Sequence, residues 1–280
     1  MTWNQAYKAV KPYIVKIETP AGSGTGFLFT YNESRSLIGI ATALHVVEEA
    51  NEWRQPLKVV HVESNKELFL SHAERGILVD YKRDSAVILV ATKVVTDGGL
   101  PLPAEMLKMM PSDKFSPIGA PLAWAGYPAI APRTLCLFQG GVSAFNNDND
   151  SYFIDGIAIN GVSGGPVFRE ADGVPEIVGI VSAYRYNRQS GGNLPGLLMA
   201  HDATHLNGIV ETLKSLAEAQ KKAAEAAKQQ NQDPQSSVGP SEPESPRQDG
   251  KEPTVGAGEP LRPVKRRSRK SKALPPNSGT

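Results

Sequence analysis

A single cysteine, Cys136, stands in 280 residues and cannot close an internal disulfide. Secreted domains of this size more often carry such bridges, so the count points to a reducing compartment, and the chain reads as cytoplasmic. Long apolar runs are missing too. None approaches the roughly 20 residues needed to span a bilayer, and the opening MTWNQAYKAVKPYIVKIETP is broken by Lys8, Lys11 and Lys16 where a signal peptide would keep an apolar centre. Charge of one sign is scarce: 30 Lys and Arg oppose 29 Asp and Glu, a net charge of +1. A field over the whole molecule that would draw in nucleic acid or membrane is thereby excluded, and only local segregation of charge remains. From about residue 232 aromatics are absent, and proline, serine, glycine and charge dominate. Such a segment cannot bury enough apolar surface to offset its ordering entropy, so residues 231–280 are expected to be disordered.

What the chain does contain, from residue 12 to about 200, is a series of short β-type runs divided by Gly, Asn, Asp and Pro. Among them are PYIVKIET, GFLFTY, LIGIATAL, LKVVHVE, SAVILVAT, APLAWAGY and EIVGIVSAY. Many short strands with turn residues between them indicate a β-barrel or sandwich. The proline-rich stretch from Thr96 to Ala120 splits the strands into two sets, about 10–97 and 117–204. After it, Leu206, Ile209, Val210, Leu213 and Leu216 keep the spacing of one helical face, which predicts a C-terminal helix over 206–230.

Within this frame INGVSGGPVF places Ser163 among three glycines. Glycine-dense segments are usually plain turns. A serine there becomes a nucleophile only if the chain also supplies a base, an acid to orient the base, and donors for an oxyanion. Of the five histidines, His45 follows an apolar strand in GIATALHVVEE. His61 and His72 sit inside amphipathic strand patterns, which suits structural or solvated roles. His201 and His205 have the i, i+4 spacing of metal ligands but lack an evident helix and third ligand. Asp84, at the mouth of the most continuous apolar run of the first set, is a candidate orienting acid, and Asp80 is its rival. The order His45, Asp84, Ser163 is that of chymotrypsin-type proteases and differs from the order in subtilisins and α/β-hydrolases.

Over roughly residues 5–215 the sequence resembles the trypsin-like, chymotrypsin-fold serine peptidases, and among them the HtrA/Deg-like branch. The resemblance rests on GSGTGFLF at 22–29, TALHVV around His45, RDSAVILV around Asp84, NGVSGGPVF around Ser163, and GIVSAY at 179–184. It implies an all-β fold of two six-stranded antiparallel β-barrels followed by the C-terminal helix and the tail. It also implies a serine endopeptidase acting on polypeptides, with catalytic His45, Asp84 and Ser163, an oxyanion hole made by the N–H groups of Gly161 and Ser163, and no cofactor or metal. Substrate would lie against Ser182, Ala183 and Tyr184, with Ile157 near the floor of the specificity pocket, which favours cleavage after aliphatic residues. The chain departs from the family's pattern in three places. Val162 stands where secreted trypsins have an aspartate that pairs with a cleaved N-terminus, Tyr184 replaces a pocket glycine, and no segment resembles a PDZ domain.

Two other function classes compete with this one. One is a protease-fold binding protein that is catalytically latent. The other is weak contact with nucleic acid or an anionic surface through Arg262–Lys272, where seven basic residues meet no acid; with no aromatic platform there, such a run tethers without specificity.

Overall fold

The computed structural model describes residues 1–157, 159–187, 192–213, 215, 218 and 222, with 183–187 and 192–195 described by backbone alone. The tail and its basic run, together with most of the C-terminal helix beyond residue 213, lie outside the described residues. All described residues belong to one compact unit.

The chain opens with α1 (Trp3–Val10) and then builds a first sheet from seven strands. These are β1 (Ile14–Thr19), β2 (Gly22–Tyr31), β3 (Leu37–Ala43), β4 (Leu57–His61), β5 (Lys66–Leu70), β6 (Arg75–Asp80) and β7 (Ser85–Ala91). Between β3 and β4 lies α2 (Leu44–Glu52), and after β7 comes α3 (Thr92–Asp97). The stretch after α3 carries only β8 (Lys108–Met109) before the second set begins. That set comprises β9 (Pro121–Gly126), β10 (Cys136–Asn146), β11 (Ser151–Asp155), β12 (Pro166–Ala171), β13 (Val174–Asn187) and β14 (Gly192–Asp202). Residues 206–213 are helical.

The two sets close differently. In the second, the order β12-β9-β10-β11-β14-β13 returns on itself through β12–β13 pairing, which makes a six-stranded antiparallel barrel, and β8 joins β13 in parallel from outside. The first does not match the expected closed six-stranded barrel. Its order is β5-β4-β1-β2-β3-β7-β6, seven strands with β5 and β6 as unpaired edges. The seam between those edges is occupied by a side chain. Arg75, 8 % exposed, donates to the carbonyls of Leu70, Ala50 and Gln55 at 2.9, 3.2 and 2.6 Å. A buried guanidinium needs several acceptors, and these backbone carbonyls supply them where a strand ladder would otherwise run.

Period-two alternation sorts the apolar residues. On β2, Leu28 points into the core of the first sheet with Val15, Ile40 and Ile88. Phe27 and Phe29 point the other way, into a second core shared with Ala123, Ala125, Phe168 and Ile180 of the second barrel and Ala6 and Val10 of α1. The barrels are therefore joined by apolar packing. Strands buried on both faces read as continuous apolar runs, which explains the texture of GFLFTY. A third core, around Trp124, Tyr152 and Val181, fills the second barrel.

Candidate active site

His45 is the second residue of α2, and α2 begins without a capping side chain of its own, because its N-cap is Ala43. The first helical N–H groups need acceptors, and Asp84 provides them from 39 residues away. Its carbonyl accepts Leu44 N–H at 2.9 Å and its Oδ1 accepts His45 N–H at 3.0 Å. The same carboxylate then holds the imidazole, with His45 Nδ1 2.8 Å from Oδ2. Asp84 itself has φ +41°, a left-handed torsion that Asp tolerates better than most residues. Burial would raise its pKa, but the hydrogen bonds from His45 and Ser182 outweigh burial and hold the carboxyl below its ordinary range. An ionised carboxylate can only accept. The imidazole proton therefore sits on Nδ1, and Nε2 keeps a free lone pair directed away from Asp84.

Asp80, the rival, does not reach the imidazole. Its carboxylate accepts the Arg83 N–H at 3.1 Å and the Arg83 guanidinium at 2.9 Å. Arg83 extends on to Asp150 of the second barrel at 2.6 Å. Asp80 thus shapes the turn that presents Asp84.

Ser163 lies in the turn entering β12. Gly161 and Gly164 there have φ +90° and +87°. A Cβ at Gly161 would stand 2.5 Å from the Tyr127 carbonyl oxygen, and one at Gly164 would collide with the Thr25 carbonyl. Both positions therefore require glycine on torsion and on space. Val162 between them is 1 % exposed and packs into the second-barrel core. Where secreted trypsins use an aspartate and an ion pair, this turn is anchored by an apolar side chain.

Ser182 on β13 links the pieces. Its hydroxyl donates to Asp84 Oδ2, and its carbonyl accepts the Ser163 hydroxyl at 2.9 Å. The Ser163 hydroxyl is thus directed at Ser182 and not at His45. Both side chains nevertheless open on one cleft of about 410 Å³, lined also by Val46, Asn160, Gly161 and the β1–β2 turn. Ile157 is 54 % exposed and stands outside that lining; the side chains of Ala183 and Tyr184 lie outside the described residues, while their backbone pairs with Met199 and Leu198 of β14. A larger cavity, about 540 Å³ between Arg83, Phe115, Phe145 and Asp202, contains none of these residues.

Of the remaining histidines, His72 is exposed in the turn between β5 and β6, and the other three have partners elsewhere. His61 lies between Ser64 Oγ and the Pro12 carbonyl, His201 reaches the Asn149 carbonyl, and His205 lies between Ser85 Oγ and the Asp202 carbonyl. No metal-ligand cluster occurs among the described residues, nor any helix long and apolar enough to cross a membrane. Sequence reasoning missed Thr25, which hydrogen-bonds the Gly161 and Ser163 carbonyls of this turn; its only signal was its place between the glycines of GSGTGF.

A family model described as the trypsin-like peptidase domain matches residues 24–180. Two crystal structures of Rv3671c in an inactive form, the first from M. tuberculosis H37Rv, are similar at 20 % identity. They cover 75 % of this chain and 91 % and 93 % of theirs, with TM-scores of 0.53 and 0.52. The serine endoprotease from Yersinia pestis is similar at 20 % identity and TM-score 0.54, covering 76 % of this chain and 66 % of that one. At this identity the likeness is one of fold. No curated protein sequence matches the chain at a significant level.

Proposed function

Because the chain belongs to the trypsin-like peptidase domain family, we propose that it is a serine endopeptidase working through Ser163, His45 and Asp84. The observation that carries this reading is the His45 imidazole, fixed 2.8 Å from a half-buried carboxylate and opening on the same cleft as Ser163. In the reaction, His45 Nε2 takes the hydroxyl proton as Ser163 Oγ bonds to the scissile carbonyl carbon. The C–N bond then breaks, the imidazolium returns that proton to the leaving amine, and an acyl-enzyme remains for water to hydrolyse by the same route. Asp84 keeps the tautomer and balances the imidazolium charge. The N–H groups of Gly161 and Ser163 are the donors to the oxyanion. The substrates are polypeptides, and the site chemistry needs no cofactor.

One observation favours the latent reading, in which the fold binds and does not cut: the Ser163 hydroxyl is bonded to the Ser182 carbonyl. Ser163 lines the same cleft as His45, and rotations about a serine Cα–Cβ bond are rapid. An active-site fluorophosphonate separates the two readings. Stoichiometric labelling at Ser163, together with casein cleavage that Ser163→Ala abolishes, is the expected result; no labelling under conditions that fully label a trypsin-like control would leave the binding protein.

A further inference from the structure

Both oxyanion donors depend on peptide planes that are free to flip in an unsupported glycine turn. A trans peptide carries its C=O and N–H on opposite sides, so holding the carbonyl directs the N–H. In this turn each carbonyl is held. That of Asn160 accepts Ala129 N–H at 2.7 Å, and that of Val162 accepts Gly165 N–H at 2.9 Å. These two peptides carry the Gly161 and Ser163 donors. The peptides that alternate with them are held on the N–H side within the second barrel, Val162 N–H by the Ile159 carbonyl at 3.1 Å and Gly164 N–H by the Val181 carbonyl at 2.6 Å, and on the carbonyl side by one residue of the other barrel. Thr25 Oγ1 donates to the Gly161 carbonyl at 2.8 Å, and Thr25 N–H donates to the Ser163 carbonyl at 2.8 Å.

Thr25 is itself immobilised. It is fully buried on β2, and its carbonyl accepts the Thr42 hydroxyl at 2.7 Å. Its own hydroxyl oxygen accepts Tyr127 N–H at 3.0 Å. With that N–H occupying a lone pair, the hydroxyl proton is left to point at Gly161, so the bond has one direction. Removing the hydroxyl leaves a buried N–H and a buried C=O without partners, a cost the turn relieves by rotating the 161–162 peptide. Gly161 is the hinge between that peptide and the 160–161 peptide, so the rotation would load the Ala129–Asn160 bond that aims the Gly161 N–H.

We propose that Thr25 is the positioning residue of the oxyanion turn, clamping the nucleophile segment of the second barrel from the first and keeping both N–H donors aimed before substrate arrives. The inference rests on the peptidase reading above and adds to it a residue that never touches the substrate.

The test compares Thr25→Val, which keeps the shape, with Thr25→Ser, which keeps the hydroxyl, in the full chain. The wild-type protein is first labelled with fluorophosphonate; failure there sinks the peptidase reading itself. Given an active wild type, Thr25→Val is expected to lower kcat on the order of 10²-fold, the scale of one lost oxyanion donor. KM should stay nearly unchanged, affinity for a peptide boronate should fall in parallel with kcat, and the pH midpoint of activity should not move. Thr25→Ser should return most of the lost kcat and boronate affinity. Wild-type kcat and boronate affinity in Thr25→Val would overturn the proposal, as would equal losses in Val and Ser. If Val fails to fold, Thr25→Ala replaces it in the same comparison. Failure of both to fold while Ser folds would assign the hydroxyl to stability alone and likewise overturn the positioning role.

Discussion

Asp84 serves three donors with two oxygens: a helix N–H, an imidazole and a hydroxyl. Replacing it by Asn keeps the shape but offers an NH₂ where an acceptor is needed, so the imidazole turns to the wrong tautomer. For Asp84→Asn the expected loss in kcat is on the order of 10⁴-fold, as such a change gives in the trypsin-type triad. Ser163→Ala and His45→Ala should each lose about as much as the double variant, because on the proposed mechanism the pair moves one proton as a unit. Steady-state kinetics on a quenched peptide check both statements, and additive losses would show that the residues act separately. At Gly161 a methyl group meets the Tyr127 carbonyl oxygen at 2.5 Å and the Ala129 nitrogen at 2.9 Å. Gly161→Ala should therefore abolish turnover while leaving the His45–Asp84 pair intact, which NMR of the Nδ1 proton reads directly.

At the level of elements, α1 illustrates what short-range signals carry. Thr2 and Gln5 form a reciprocal capping box, Trp3 meets Phe168 edge-on at 6.4 Å, and Ala6 and Val10 enter the inter-barrel core. Thr2→Ala removes the cap at about 1 kcal/mol, which lowers Tm by roughly 2–4 °C in a domain of this size; deleting residues 1–10 should lower it much further. Calorimetry measures both, and an unchanged Tm in the deletion would mean that α1 is dispensable to the core. The glycine turn around Ser163, the two-barrel class and the order of its motifs were legible because each carries a local signature: dense glycine in the turn, and apolar runs bounded by turn residues. Elements whose determinants are distant were not. The start of α2 has no Ser, Thr, Asp or Asn at position 43, since its cap comes from Asp84. The seam of the first sheet is filled by Arg75, which the sequence offers only as one more charge. β6 offers only the three-residue apolar run Ile77 to Val79 between Gly76 and Asp80, and leaves Leu78 and Val79 exposed on an edge. β14 contains glycine and proline that read as a loop until β11 and β13 pair with it on both sides.

For the molecule as a whole, acid is the weak direction. Burial pushes His61, His201 and His205 below the ordinary imidazole pKa, so the folded state keeps them neutral while the unfolded chain protonates near 6.5. The unfolded state then binds more protons, and stability falls as pH drops through about 6.5 toward the lowered folded values. Urea midpoints should be lower at pH 5.5 than at pH 7.5, and His205→Gln should flatten the difference; a midpoint that rises on acidification would contradict the assignment. The split of the site between barrels also fixes when it can exist. His45 and Asp84 belong to a sheet whose last strand ends at Ala91, whereas the barrel holding Ser163 closes only when β14 reaches Asp202. A chain still growing on the ribosome thus carries His45 and Asp84 long before the turn around Ser163 is supported, and products terminated before residue 202 are expected to take up no fluorophosphonate. On the proposed mechanism, activity begins only with the last strand of the second barrel.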